Sequence, residues 1–149
     1  MKIKYSINII FCLALATFIS CSAQPEPINY GHDECSYCKM TIVDKAHSAQ
    51  MVTKKGKQYK FDAIECMARN VHEDHKLAEK SNLLVADYIN PGTMLNAEKA
   101  TYIISPKIKS PMGANLSAVA DVKTAKKIIK EKGGEIYTWK PLIKVLTED

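Results

Sequence analysis

The stretch DAIECMARNVHEDH, residues 62–75, decides the fold class. Ile64, Met67, Ala68, Val71 and His75 recur at spacings of three and four, which is one face of a helix. Asp62 and Glu65 have the D-x-x-E spacing of a helix start, where both can reach free amides. Upstream, Lys55-Gly56 separates two β-favouring runs, so a hairpin of roughly 48–53 and 57–61 is predicted. Downstream, LLVADY (83–88) reads as a strand closed by Asn90-Pro91-Gly92. The local order is strand, strand, helix, strand.

The second half repeats this order. TYIIS (101–105) and LSAVA (116–120) are predicted strands around a Pro/Met/Gly loop. Asp121 opens a helix with Val122, Ala125, Ile128 and Ile129 on one face, and Gly133-Gly134 ends it. EIYTW (135–139) is the predicted closing strand. Two such units, about 41–90 and 100–140, make an α+β domain of tandem ββαβ-type repeats, with Asp62 and Asp121 at matching places.

The first twenty residues read as a signal peptide. Lys2 and Lys4 precede IIFCLALATFI (9–19), an apolar run too short to span a bilayer. The run closes on Ile19-Ser20-Cys21, which resembles a lipoprotein-processing site with Cys21 as the acylated residue. Residues 21–34, with Pro25, Pro27 and Gly31, read as the lipidated Cys and a flexible linker, and 35–149 as the folded domain. An outer-membrane position facing the periplasm is expected. The formal charge is +5 for the whole chain, and Lys2 and Lys4 leave with the signal. This mild excess, with no basic run interleaved with aromatics, gives nucleic-acid binding no support.

The chemistry concentrates in HDECSYCKM, residues 32–40. Export places Cys35, Cys38 and Cys66 in an oxidising compartment, and three thiols cannot all pair within one chain. Cys and Met are soft donors that suit Cu(I), whereas Zn(II) prefers thiolate and imidazole. In an extended strand Cys38 and Met40 would share a face. Met112, between Pro111 and Gly113, has no periodic reason to be core. The expected metal ligands are therefore Cys38, Met40 and Met112, with Cys35, His32 and Cys66 as further candidates. Three other readings stay open. The cysteines could hold structural zinc with His72 or His75, or form a disulfide, in a protein-interaction domain. Cys35 and Cys38 could also be the redox pair of a thiol oxidoreductase, although no strand-to-helix junction is expected there. His47 has no partner at an informative spacing.

CSYCKMTIVDKAHSAQ, KFDAIECM, VADY and SPMGANLSAVAD…GGEIYTW together resemble the NosL family of nitrous-oxide-reductase accessory lipoproteins, over roughly residues 30–140. The resemblance implies a fold similar to the organomercurial lyase MerB. It implies a non-enzymatic, membrane-anchored protein that binds one Cu(I). It implies delivery of copper to nitrous oxide reductase in denitrification, alongside a membrane transporter complex. On matching positions it implies Cys38, Met40 and Met112 as ligands. Cys35 makes the motif C-x-x-C-x-M rather than C-x-M alone.

Mass spectrometry of the membrane-bound protein should find the mature chain beginning at an acylated Cys21. A chain starting elsewhere would remove the anchor.

Overall fold

The computed structural model describes residues 23–148; the signal stretch and Cys21 lie outside the described residues. The chain forms β1 (Ala49–Thr53), β2 (Gln58–Phe61), α1 (Ile64–Glu73), the short α2 (His75–Ala78), β3 (Ser81–Ala86) and β4 (Met94–Asn96). It continues through β5 (Thr101–Ile104), β6 (Leu116–Val119), α3 (Val122–Lys132), β7 (Glu135–Tyr137) and α4 (Trp139–Thr147). The first sheet has the order β2-β1-β3-β4 and the second β6-β5-β7, with every pairing antiparallel. The α+β class expected from the sequence is what forms.

The repeat is visible in the sheet order. In β2-β1-β3 and in β6-β5-β7 the first strand of the unit lies centrally, its hairpin partner on one side and the strand after the helix on the other. Met51 faces Tyr59 and Leu83 across the first centre; Tyr102 faces Ala118 and Tyr137 across the second. The two units share one core. Phe61, Ile64, Met67 and Val85 from the first unit pack in the same cluster as Tyr102, Leu116, Trp139 and Leu142. Burial of each such side chain contributes about 1.5–3 kcal/mol. A smaller cluster of Ile103, Ile108, Val119, Ala125 and Ile128 lies under α3.

His47 ties the sheets together. Its Nδ1 is 2.7 Å from Asp44 Oδ2 and its Nε2 is 3.1 Å from Ser117 Oγ on β6. Nearby, the Tyr88 N–H donates to Ala118 O at 2.8 Å. Sequence spacing hides this partnership because Ser117 is seventy positions away.

The two Asp positions part company. Asp121 caps α3, its carboxylate accepting from the Lys123 and Thr124 amides at 2.9 and 3.0 Å. Asp62 does not cap α1: the N-cap is Ala63, which makes no side-chain cap bond. On the apolar faces, Ile64, Met67, Ala68 and Val71 are buried as expected, but His75 is exposed and falls in α2. Val122 is likewise exposed, while Ala125 and Ile128 are buried.

Two further differences, at β7 and at residues 24–33, have physical causes, and the expected glycine stop of α3 is present. β7 stops at Tyr137, and Trp139 opens α4, where Pro141 falls in a first turn that needs no intrahelical N–H. Gly133 ends α3 at φ 70, and a Cβ on Gly134 would collide with Ile104 O of β5. That close approach lets the chain drop from α3 onto the second sheet. In place of a free linker, residues 24–33 lie along β2. Gln58 Nε2 donates to Gln24 O at 3.1 Å, Gln50 Nε2 to Glu26 O at 2.8 Å, and Lys60 Nζ to Pro27 O at 2.9 Å.

Leu142 is fully buried, and the Trp139 ring lies 5.5 Å from that of Tyr102. Leu142→Ala should therefore lower unfolding free energy by about 2–5 kcal/mol in chemical denaturation. A wild-type midpoint would show that α4 is not part of the core.

Candidate metal centre

The centre forms where β2 ends and the chain turns through Asp62-Ala63 into α1. Residues 33–42 fold back on themselves opposite this corner. The Ile42 N–H donates to Asp33 O at 2.9 Å, Cys35 N–H to Met40 O at 2.8 Å, and Lys39 N–H to Cys35 O at 3.0 Å. Lys39 adopts φ 66, the left-handed conformation that reverses the chain just after Cys38. The C-x-x-C is thus a tight turn, and Cys38-Lys39-Met40 is not extended strand. The alternation expected to put Cys38 and Met40 on one face does not operate.

Ser36 fixes this turn to β2. Its N–H donates to Lys60 O at 2.7 Å, and the Lys60 N–H donates to Ser36 Oγ at 3.1 Å. Lys60 Nζ also pairs with Asp33 Oδ2 at 2.7 Å. The turn is held from both ends of its sequence.

These constraints bring Cys35, Cys38, Asp62 and Cys66 together, with their donor atoms all within 4.8 Å of one another. Cys35 and Cys66 are fully buried and Cys38 half-buried, and all three are free thiols. Cys38 Sγ donates to Asp62 Oδ1 at 3.3 Å. The Cys66 thiol donates to Cys35 Sγ, which also receives backbone N–H groups of Asp62, Cys38 and Tyr37. That donation, foremost from Cys66, brings the Cys35 thiol down to about 6 against the cost of burial. Cys66 is pushed up, first because its proton is engaged by Cys35 and then by burial. Burial also pushes Cys38 up, although it receives the Met40 N–H.

Met112 sits on a loop that is fastened to the helix carrying Cys66. Ser110 Oγ donates to Glu65 Oε1, and the Ala114 N–H also reaches that carboxylate. Glu65 immediately precedes Cys66, so the Ser110–Ala114 loop is fastened to the helix that carries Cys66. Met112 is half-buried and packs against the main core, which includes Cys35 and Cys66. Burial raises the Glu65 carboxyl, and its Oε2 has no hydrogen-bond partner.

The other candidates lie differently. Met40 is 54% exposed, at the outer edge of the turn. His32 is exposed in the preceding turn and is outside the thiol group. His72 and His75 are exposed, stacked edge-to-face at 5.9 Å, and are not members of it either. Asp62 is the residue that sequence reasoning missed. Its D-x-x-E spacing suggested a cap; the usable signal was Asp62 and Cys66 bracketing one helix turn at a strand-to-helix corner. Three soft sulfurs beside one carboxylate suit a thiophilic cation such as Cu(I) or Zn(II).

The chain has relatives consistent with this centre. It is 25% identical over 133 residues to the copper-binding lipoprotein NosL of Stutzerimonas stutzeri, covering 83% of this chain and 70% of the relative. Its fold is similar to the crystal structure of the copper chaperone NosL from Shewanella denitrificans, with a TM-score of 0.62 at 22% identity. That likeness covers 78% of this chain and 93% of the other. Neither name is that of an enzyme. The model of the NosL family matches residues 28–145, so the chain belongs to the NosL family.

Proposed function

We propose that this protein is a Cu(I)-binding chaperone that delivers copper to an exported copper enzyme, nitrous oxide reductase, from a lipid anchor at Cys21. The carrying observation is the buried group of Cys35, Cys38, Cys66 and Asp62 in a chain of this family. The family relatives are named for copper binding and copper chaperoning, which supports the metal and the carrier role. The lipoprotein relative supports an anchor, and a periplasm-facing, outer-membrane position is part of this proposal. Among the described residues no helix is long and apolar enough to cross a membrane.

The donors are graded by exposure. Met40, two residues after Cys38, is exposed, Cys38 is half-buried, and Cys35 and Cys66 are buried. Cu(I) accepts few ligands, so it can be received by an outer thioether and thiolate before inner thiolates close on it. Release to a partner reverses the order, the partner adding a donor while the outer ligands are still attached. Met112, on the loop fastened to Glu65 of the same helix, is the second thioether of the proposed set. Asp62 engages the Cys38 proton in the free protein and leaves that sulfur available once the proton departs.

Structural zinc is the second reading, favoured by the same three thiols and carboxylate. Anaerobic expression followed by metal analysis separates the two: copper transferable to a chelator, or zinc whose removal unfolds the chain.

Ligand identity can be tested by competition with a Cu(I)-specific chelator. Met112→Leu keeps the side-chain volume, so stability should change by less than about 1.5 kcal/mol while Cu(I) affinity falls. Cys66→Ser should weaken binding by more than the roughly 10–100-fold typical of losing an outer hydrogen-bond partner. Unchanged affinity in either variant removes that residue from the ligand set.

Protonation gives a further check. Hydrogen bonding, foremost from Cys66, brings the Cys35 thiol down to about 6 and favours its thiolate, whereas Cys38 and Cys66 are held as thiols. Binding through all three should release about two protons per ion, so affinity should rise by about 100-fold per pH unit near neutrality. As pH falls below about 6, Cys35 also takes up a proton and the dependence steepens. Release of a single proton would remove either Cys38 or Cys66 from the ligand set.

A further inference from the structure

We infer that the tip of the β1–β2 hairpin, Lys54, Lys55 and Lys57, is a foot that rests on anionic phospholipid headgroups and holds the metal centre away from the bilayer. The inference rests on the reading that Cys21 is the lipid anchor.

Chain geometry carries it. An acyl group on Cys21 would be joined to Ala23 through two peptide units, a tether of at most about 7.6 Å between Cα atoms. The Ala23 methyl is 3.9 Å from where a Cβ on Gly56 would stand, which seats the start of the described chain on the hairpin tip. From Gln24 onward the chain is fastened to β1 and β2 by Gln50, Gln58 and Lys60. A lipid carried on Cys21 would be tethered to the described chain at Ala23, which starts at this tip.

The tip has the charge for that position. Lys54, Lys55 and Lys57 are all exposed, with Lys57 Nζ 4.5 Å over the Tyr59 ring. Thr53 pairs with Ser81, which brings Glu79 and Lys80 to the same edge, where they offset each other. Glu26 is the acid in the adjoining strap, and it leaves the local balance positive. Lysines near an anionic membrane surface contribute favourably and additively. The lysines of α3 are more numerous, but that helix packs on the second sheet, and no chain exit toward the anchor lies there.

The orientation serves the site. β2 leaves the tip at Gln58 and reaches Asp62 four residues later, about 13 Å away at the rise of a strand. A domain standing on its hairpin tip holds Cys38 and Met40 toward the compartment, where a partner protein can reach them.

The test uses the mature chain carrying Cys21→Ser, which removes acylation and leaves every described residue unchanged. Its partition onto vesicles of phosphatidylglycerol and phosphatidylcholine is compared with that onto phosphatidylcholine alone at low ionic strength. Binding to the anionic vesicles is expected, falling about 100-fold in Lys54→Gln/Lys55→Gln/Lys57→Gln. The control Lys123→Gln/Lys127→Gln/Lys130→Gln should bind as the parent does. Equal partition of the tip variant and the parent overturns the inference, as does loss of binding in the α3 variant instead. Since this chain carries no lipid, the result is separable from acylation, which mass spectrometry reads independently.

Discussion

The pairing of Ser36 with Lys60 is the contact on which the centre depends. It clamps the C-x-x-C turn against the last residues of β2. Without it, Cys35 and Cys38 would belong to a loop, and Cys66 to a helix some thirty residues later. With it, the turn faces the strand-to-helix corner, and Asp62 and Cys66 meet the two turn cysteines. The left-handed Lys39 and the Cys35–Met40 hydrogen bond keep the turn closed. The backbone amides around Cys35 then make a site that favours a thiolate before any metal arrives.

The fold is built from two copies of one strand order, and the site sits where the copies differ. In the second unit the Asp before the helix caps it, as such residues usually do. In the first unit the matching Asp62 turns away from its helix and accepts from Cys38. α1 goes without a side-chain cap, a loss of about 0.5–2 kcal/mol in other helices. A local rule is broken at the place where the chemistry is, and the shared core of Phe61, Tyr102, Leu116 and Leu142 provides the stability that permits it.

Much of this was legible in the sequence because it is local. The periodicity of Ile64, Met67, Ala68 and Val71, the Lys55-Gly56 turn, and Gly133 after α3 each report on neighbours a few residues away. The tandem order of elements followed from them. What was not legible depends on distant partners. His47 finds Ser117 across the sheets, Glu65 finds Ser110 on the loop that carries Met112, and residues 24–33 find the side chains of β1 and β2. The role of Asp62 was hidden for the opposite reason: a strong local pattern supplied a plausible use that the structure does not make. The α4 helix was missed because Trp139 fits a strand equally well until its burial beside Tyr102 is seen.

Cys35 and Cys66 join Cys38 in an inner sulfur-rich cluster, the proposed copper site. The copper X-ray absorption spectrum of the anaerobically loaded chain tests this most directly. The expected result is a Cu(I) edge with a first shell made of sulfur, losing one scatterer in Cys66→Ser. A first shell dominated by nitrogen or oxygen, or one unaltered by Cys66→Ser, would contradict it.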